Sequence, residues 1–175
     1  MRPRFIILSD LWGRQKSAWT HLYIEKLASE FDIQYYDCCQ LGNVNTEIYT
    51  QDNLHQQFIS FGIETAVKSL IQLEKKPAHI LAFSIGGTIA WKAALLGLPL
   101  ISLYAISATR LRHEINIPKK TIQLYFGIND PYKPSADWCN QFTNEKIVLL
   151  DGETHEMYQK EKIATLVCNN IIAAN

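Results

Sequence analysis

The chain has 175 residues, enough for one domain with a sizeable buried core. Apolar residues make up 47% and charged residues 19%, which excludes a disordered chain, and 17 basic residues against 17 acidic ones exclude the basic excess of a nucleic-acid binder. No apolar stretch approaches the roughly 18 residues of a membrane span, so neither nucleic acid nor membrane is expected as a partner.

The first element is a strand over Phe5–Leu8. Its apolar run stops at Ser9-Asp10, too short for the core of a signal peptide, so a cytoplasmic protein is expected. Cys38, Cys39, Cys139 and Cys168 agree with that: they form no C-x-x-C pair for zinc or redox work and read as free thiols of a reducing compartment. Ser17–Glu30 reads as a helix, with Trp19, Leu22, Tyr23 and Leu27 at helical spacing, and Ile33–Tyr36 as a short strand. Asn53–Lys75 reads as one long helix with Ile59, Ile63, Ala66, Val67 and Leu70 along one side, stopped by Pro77.

Ile80–Phe83 is the third strand, and Ser84 stands between it and a helix that ends at Gly97. Strands follow over Leu100–Ile106 and Thr121–Phe126, then a short helix over Pro134–Phe142, a sixth strand over Ile147–Leu150 and a closing helix over Tyr158–Ile172. The inner side of that helix should carry Ile163, Leu166, Val167 and Ile171. Continuous apolar strands alternating with helices imply an α/β fold, a three-layer doubly wound and mainly parallel sheet of about six strands. The stretch Ser107–Lys120 is the least regular, and its basic residues Arg110, Arg112, His113, Lys119 and Lys120 read as a solvated loop. The edge of the sixth strand would permit a homodimer.

Ligands of such sheets bind at the carboxyl ends of the strands. Three residues suited to acyl transfer sit there. Ser84 follows strand three, Asp130 follows strand five within Gly127-Ile128-Asn129-Asp130-Pro131, and His155 follows strand six within Gly152-Glu153-Thr154-His155. A serine attacks, a histidine takes its proton, and a carboxylate fixes the histidine tautomer. Each also has a plainer reading: Ser84 as a helix N-cap, Asp130 as a turn former beside Pro131, His155 as a loop residue. The other histidines are less well placed, with His21 and His55 in helical patterns, His79 at the wrong end of its strand and His113 in the irregular connection.

Taken together, the strand-turn-helix around Ser84, the segment Tyr125–Pro134 and the segment Gly152–His155 resemble the nucleophile, acid and histidine segments of the α/β-hydrolases, and the resemblance covers nearly the whole chain. It implies a small lidless serine esterase: Ser84, Asp130 and His155 catalytic, the backbone N–H groups of Ile85 and Leu11 as oxyanion donors (Trp12 the runner-up to Leu11), and Trp12 as a wall of the acyl pocket. Small carboxylic esters or thioesters would be the substrates, and no cofactor or metal would be needed. Three departures stand out. Ala82 replaces the first glycine of the elbow, Ser9-Asp10 replaces the His-Gly found in many members, and the connection Ser107–Lys120 is too short for a lid. The chain also starts at what would be the third strand of the full family sheet, a truncated form of the fold. Asp10 would oppose an oxyanion if its carboxylate pointed inward. That leaves open a catalytically weak or inactive binding or scaffolding protein on the same fold, and peptide or lactone hydrolysis on the same three residues.

Overall fold

The computed structural model describes residues 2–142 and 146–175. Its centre is a six-stranded sheet of order β2-β1-β3-β4-β5-β6. The strands are β1 (Arg4–Leu8), β2 (Asp32–Tyr36), β3 (Ala78–Phe83), β4 (Leu100–Ile106), β5 (Thr121–Gly127) and β6 (Ile147–Leu150), and every neighbouring pair is parallel. The register brings the carboxyl ends level: Leu8 lies opposite Ala82, Phe83 opposite Ile106, Ile106 opposite Tyr125 and Gly127 opposite Leu150. The loops after β1, β3, β4, β5 and β6 therefore leave from one edge. The chain order reverses between β1 and β3, where a crevice opens for a ligand.

Alternation along each strand sends side chains to two cores. Ile6, Leu8, Ile80 and Ala82 face one side, where α2 (Cys38–Leu41), α3 (Gln51–Gln57), α4 (Ile63–Leu73) and α5 (Ile85–Leu95) pack. Phe5, Ile7, Leu81 and Phe83 face the other, against α1 (His21–Leu27) and α7 (Glu161–Ala173). With both faces covered, the strands can be apolar throughout, and each fully buried Leu, Ile or Phe contributes roughly 1.5–3 kcal/mol. A single helical turn, α6 (Ala136–Cys139), is started by the Ser135 hydroxyl accepting from Trp138 N–H at 3.2 Å. No helix among the described residues is long and apolar enough to cross a membrane.

Several helices differ from the periodicity reading. The expected helix over Ser17–Glu30 shortens to a 3-10 turn at Ala18–Thr20 followed by α1, and another 3-10 turn at Gly13–Lys16 precedes them. The Ser17 and Thr20 hydroxyls donate to the carbonyls of Arg14 and Ser17, local bonds that compete with a regular helix. The long helix before Pro77 runs from Gln51 to Leu73 through a π turn at Phe58–Gly62. The buried apolar side chains are Leu54, Phe58, Ile63, Ala66, Val67 and Leu70, with Gly62 buried beside them, and Ile59 is exposed. The step of five from Phe58 to Ile63 is the π turn, and it rotates Ile59 out of the buried stripe. In α7 the inner side carries Ala164 and Cys168 beside Ile163, Val167 and Ile171, while Leu166 is exposed. The short helix expected over Pro134–Phe142 shrinks to α6. Asp37 starts the unanticipated α2 by accepting from the N–H groups of Cys39 and Gln40.

The connection between β4 and β5 is pinned by two indoles. Trp91 Nε1 donates to Asn116 O at 3.0 Å and Trp138 Nε1 to Glu114 O at 2.8 Å. Lys92 adds an ion pair to Glu114 at 3.1 Å.

Candidate active site

Ser84 is the single residue between β3 and α5. Its backbone takes φ 49° and ψ −118°, a region unfavourable for a residue with a Cβ. The turn is held by Ser84 N–H donating to Ile106 O at 3.0 Å and by Thr109 N–H donating to Ser84 O at 3.2 Å. Two glycines then let α5 start against the sheet. A Cβ on Gly86 would lie 2.4 Å from Ser9 O, and one on Gly87 would lie 2.5 Å from Ala108 Cβ. Although Ser84 occupies the N-cap position, its hydroxyl makes no capping bond. Ser84 Oγ instead lies 3.0 Å from His155 Nε2.

His155 opens a 3-10 turn over His155–Gln159, which also carries Tyr158. Its Nδ1 is 2.9 Å from Asp130 Oδ2. Asp130 is 1% exposed, and its other oxygen accepts from Tyr132 N–H at 2.8 Å. It is thus both a turn former and the partner of an imidazole. The loops after β5 and β6 are joined by Ile128 N–H to Leu150 O and Asn129 N–H to Glu153 O, both 2.9 Å. Gly127 allows that contact, since a Cβ there would lie 2.2 Å from Glu153 O. In the neutral imidazole, a proton on Nδ1 donating to Asp130 leaves Nε2 to accept the Ser84 hydroxyl proton. Tyr132 packs edge-on against the ring at 5.1 Å.

Ile85 is the first residue of α5, where N–H groups have no acceptor within the helix and the dipole favours an anion. Across the crevice, after β1, Trp12 N–H donates to Asp10 Oδ1 at 2.9 Å. Among the described residues Leu11 N–H has no protein acceptor. Of the two candidate donors on this loop, Leu11 is therefore the free one.

Asp10 is 1% exposed and turned into the protein: Oδ1 accepts from Trp12 and Oδ2 from the Tyr158 hydroxyl at 3.1 Å. Burial pushes its carboxyl up to about 6, against the lowering effect of the bonds from Trp12 and Tyr158. Burial and the neighbouring Asp10 push the Tyr158 hydroxyl far above its ordinary value, so it stays a protonated donor. Tyr23 in turn donates to Tyr158 O at 2.7 Å. Asp10 so ties the loop after β1 to the turn that carries His155.

Ser84, Ile85, Leu11, Trp12 and His155 line one cleft of about 340 Å³. Trp12 leans on Tyr49 with ring centres 5.4 Å apart, and the Lys16 ammonium sits 3.7 Å above its indole. Arg110 and Arg112, read from the sequence as part of a solvated loop, line the cleft instead, as does His55 from α3. The connection 107–120 brings the two arginines in because Leu111 between them is fully buried. Arg110 is half-buried and Arg112 exposed at the cleft rim, while the exposed His113, Lys119 and Lys120 lie outside its lining. A larger groove of about 990 Å³ lies at the opposite ends of the strands, beside Leu100 and Thr121, and among the described residues no hydroxyl there is hydrogen-bonded to a histidine. Among the described residues no three His, Cys, Asp or Glu side chains gather as a metal site requires.

Comparison with solved structures places this architecture. Alpha/beta hydrolase domain-containing protein 10 from mouse superposes with a TM-score of 0.69 at 12% identity, over 99% of this chain and 90% of that one. Est1E from Butyrivibrio proteoclasticus, in its ferulic acid complex, gives a TM-score of 0.69 at 13% identity over 98% and 88%. An alpha-beta serine hydrolase homologue from Coxiella burnetii gives 0.67 at 14% identity over 97% and 88%. The chain has the α/β-hydrolase fold. No protein-family model matches it, and no curated protein matches it in sequence.

Proposed function

We propose that the protein is a serine hydrolase that cleaves small carboxylic esters or thioesters through Ser84, His155 and Asp130. The observation that carries the reading is the unbroken relay: hydroxyl to imidazole at 3.0 Å and imidazole to buried carboxylate at 2.9 Å. Ser84 Oγ attacks the substrate carbonyl while His155 Nε2 takes its proton. The imidazolium is stabilised by Asp130, which keeps its own charge. The tetrahedral oxyanion lies between the N–H groups of Ile85 and Leu11, and each such donor is worth roughly 10²–10³ in rate. Collapse breaks the bond to the leaving oxygen or sulfur, and His155 returns the proton to it. A water then gives its proton to His155 and attacks the acyl-serine, releasing a carboxylic acid and restoring the Ser84 hydroxyl.

The opposing reading, a binding protein without turnover, drew its support from the short connection with no room for a lid and from Asp10 in the oxyanion loop. That carboxylate is engaged by Trp12 N–H and the Tyr158 hydroxyl, which favours the enzyme. The four thiols, all free, accord with a cytoplasmic setting. A fluorophosphonate probe tests the proposal. The folded wild type should label and hydrolyse p-nitrophenyl butyrate, and Ser84→Ala should do neither. A folded wild type that never labels, or a variant that labels equally, overturns it.

A further inference from the structure

Three basic side chains stand on the cleft wall without a role in those steps. Arg110 and Arg112 come from the β4–β5 connection and His55 from α3. Arg110 is held close to the nucleophile by its neighbours: Thr109 N–H donates to Ser84 O at 3.2 Å, the Thr88 hydroxyl donates to Thr109 O, and Leu111 is fully buried. Arg110 itself takes φ 66°, a left-handed conformation unfavourable for a residue with a Cβ. Among the described residues its guanidinium has no ion pair and no hydrogen bond. Arg112 is anchored beside the base: it donates to Tyr132 O at 3.0 Å, and the Tyr132 ring packs on His155.

Like charges are thus gathered rather than dispersed. His55 is held below its ordinary range, first by burial and then by Arg110 and Arg112, with Asp52 opposing. The acidic residues of the same wall, Asp52 and Glu156, lie beyond ion-pair distance of both guanidinium groups. By count these two carboxylates balance the two guanidinium groups, but neither arginine is ion-paired among the described residues, so both keep their charge available to an anion in the cleft. A guanidinium fork next to a reacting centre matches a carboxylate in shape and charge.

Resting on the hydrolase reading above, we propose that the cleft selects anionic esters or thioesters, whose carboxylate, on the acyl chain or on the leaving group, is bound by Arg110 and Arg112. Three substrates test it: p-nitrophenyl butyrate, mono-p-nitrophenyl glutarate, and p-nitrophenyl butyrate carrying a ring carboxylate. Each kcat/KM is divided by the rate of hydroxide-catalysed hydrolysis of the same ester. At least one anionic ester should exceed the neutral one by about tenfold, and which one does so places the charge on the acyl or the leaving side. The Arg110→Gln/Arg112→Gln double variant should lose that ratio, and the Arg110→Lys/Arg112→Lys variant should restore part of it. A merely structural role would lower all three rates together and leave the ratio unchanged, which would overturn the assignment. If the double variant does not fold, the exposed Arg112→Gln carries the test with an expected loss of about threefold in the ratio. Turnover of the neutral ester with no anionic preference overturns this inference and leaves the hydrolase reading standing. Absence of turnover and of fluorophosphonate labelling overturns both.

Discussion

Replacing Asp10 by asparagine isolates one buried charge. The carboxyl is 1% exposed, and burial raises it from the ordinary 3.8 to about 6. The native state therefore holds this proton more tightly than the unfolded chain does. Above about pH 6 the group is ionised in both states, and folding bears the whole cost of burying the charge. From about pH 6 down to about pH 4 the native state takes up the proton first, so stability rises as pH falls. A gap of about two pH units at about 1.4 kcal/mol each makes the full swing about 3 kcal/mol. Asparagine keeps an acceptor for Trp12 N–H, and its amide can donate to the Tyr158 oxygen; the Tyr158 hydroxyl proton loses its acceptor, a cost that does not vary with pH and so leaves the pH dependence to report the lost titration alone. Denaturant unfolding of both proteins between about pH 7.5 and about pH 4 measures the swing. Glu153, held down by hydrogen bonds from Lys160 and Lys162, acts with the opposite sign and loses stability as pH falls. It is common to both proteins and cancels in their difference. Wild type should gain about 3 kcal/mol on the variant across that range. A flat difference, or one of the opposite slope, refutes the account of Asp10 as a charge held at a cost near neutral pH.

Asp130→Asn should keep the fold by circular dichroism and lower kcat on p-nitrophenyl butyrate by about 10⁴, because the amide favours the wrong imidazole tautomer; unchanged turnover would remove Asp130 from the relay. Gly127→Ala drives a methyl to 2.2 Å from Glu153 O and 2.9 Å from Thr154 N. Thermal unfolding should show a loss of about 1–3 kcal/mol, with kcat falling as the His155 turn is displaced. The thiols of Cys38 and Cys39 are buried, and burial pushes Cys39 up to about 12. Iodoacetamide at neutral pH should therefore modify the half-buried Cys139 first, as read by peptide mass spectrometry, and equal labelling of Cys38 would contradict the structure.

The strands were legible because a strand covered on both faces needs no polar alternation. The run Leu100–Ile106 therefore marks itself, and the observed bounds there and at the half-buried edge strand Ile147–Leu150 are the expected ones. Parallel pairing then puts the residues after β3, β5 and β6 on one edge, which is how Ser84, Asp130 and His155 could be found far apart in the chain. What stayed hidden depends on loop paths and on partners distant in sequence. Asp10 is separated from the Tyr158 hydroxyl by 148 positions, so nothing local says that its carboxylate turns inward to Tyr158. Arg110 and Arg112 look like solvated charges until the burial of Leu111 bends their loop over the cleft. His55 sits in a helical pattern whose phase is reset by the π turn at Phe58–Gly62, an insertion that a 3.6-residue period does not register.

The two indoles that clamp the β4–β5 connection mark a splice point. Glu114 O and Asn116 O are each fastened by a tryptophan, and Ile115 between them is 85% exposed. New chain inserted at Ile115 would emerge from two stems already fixed in space, downstream of the bond from Thr109 that steadies the Ser84 turn. A cap domain could thus be grafted onto this scaffold without disturbing the turn that carries Ser84.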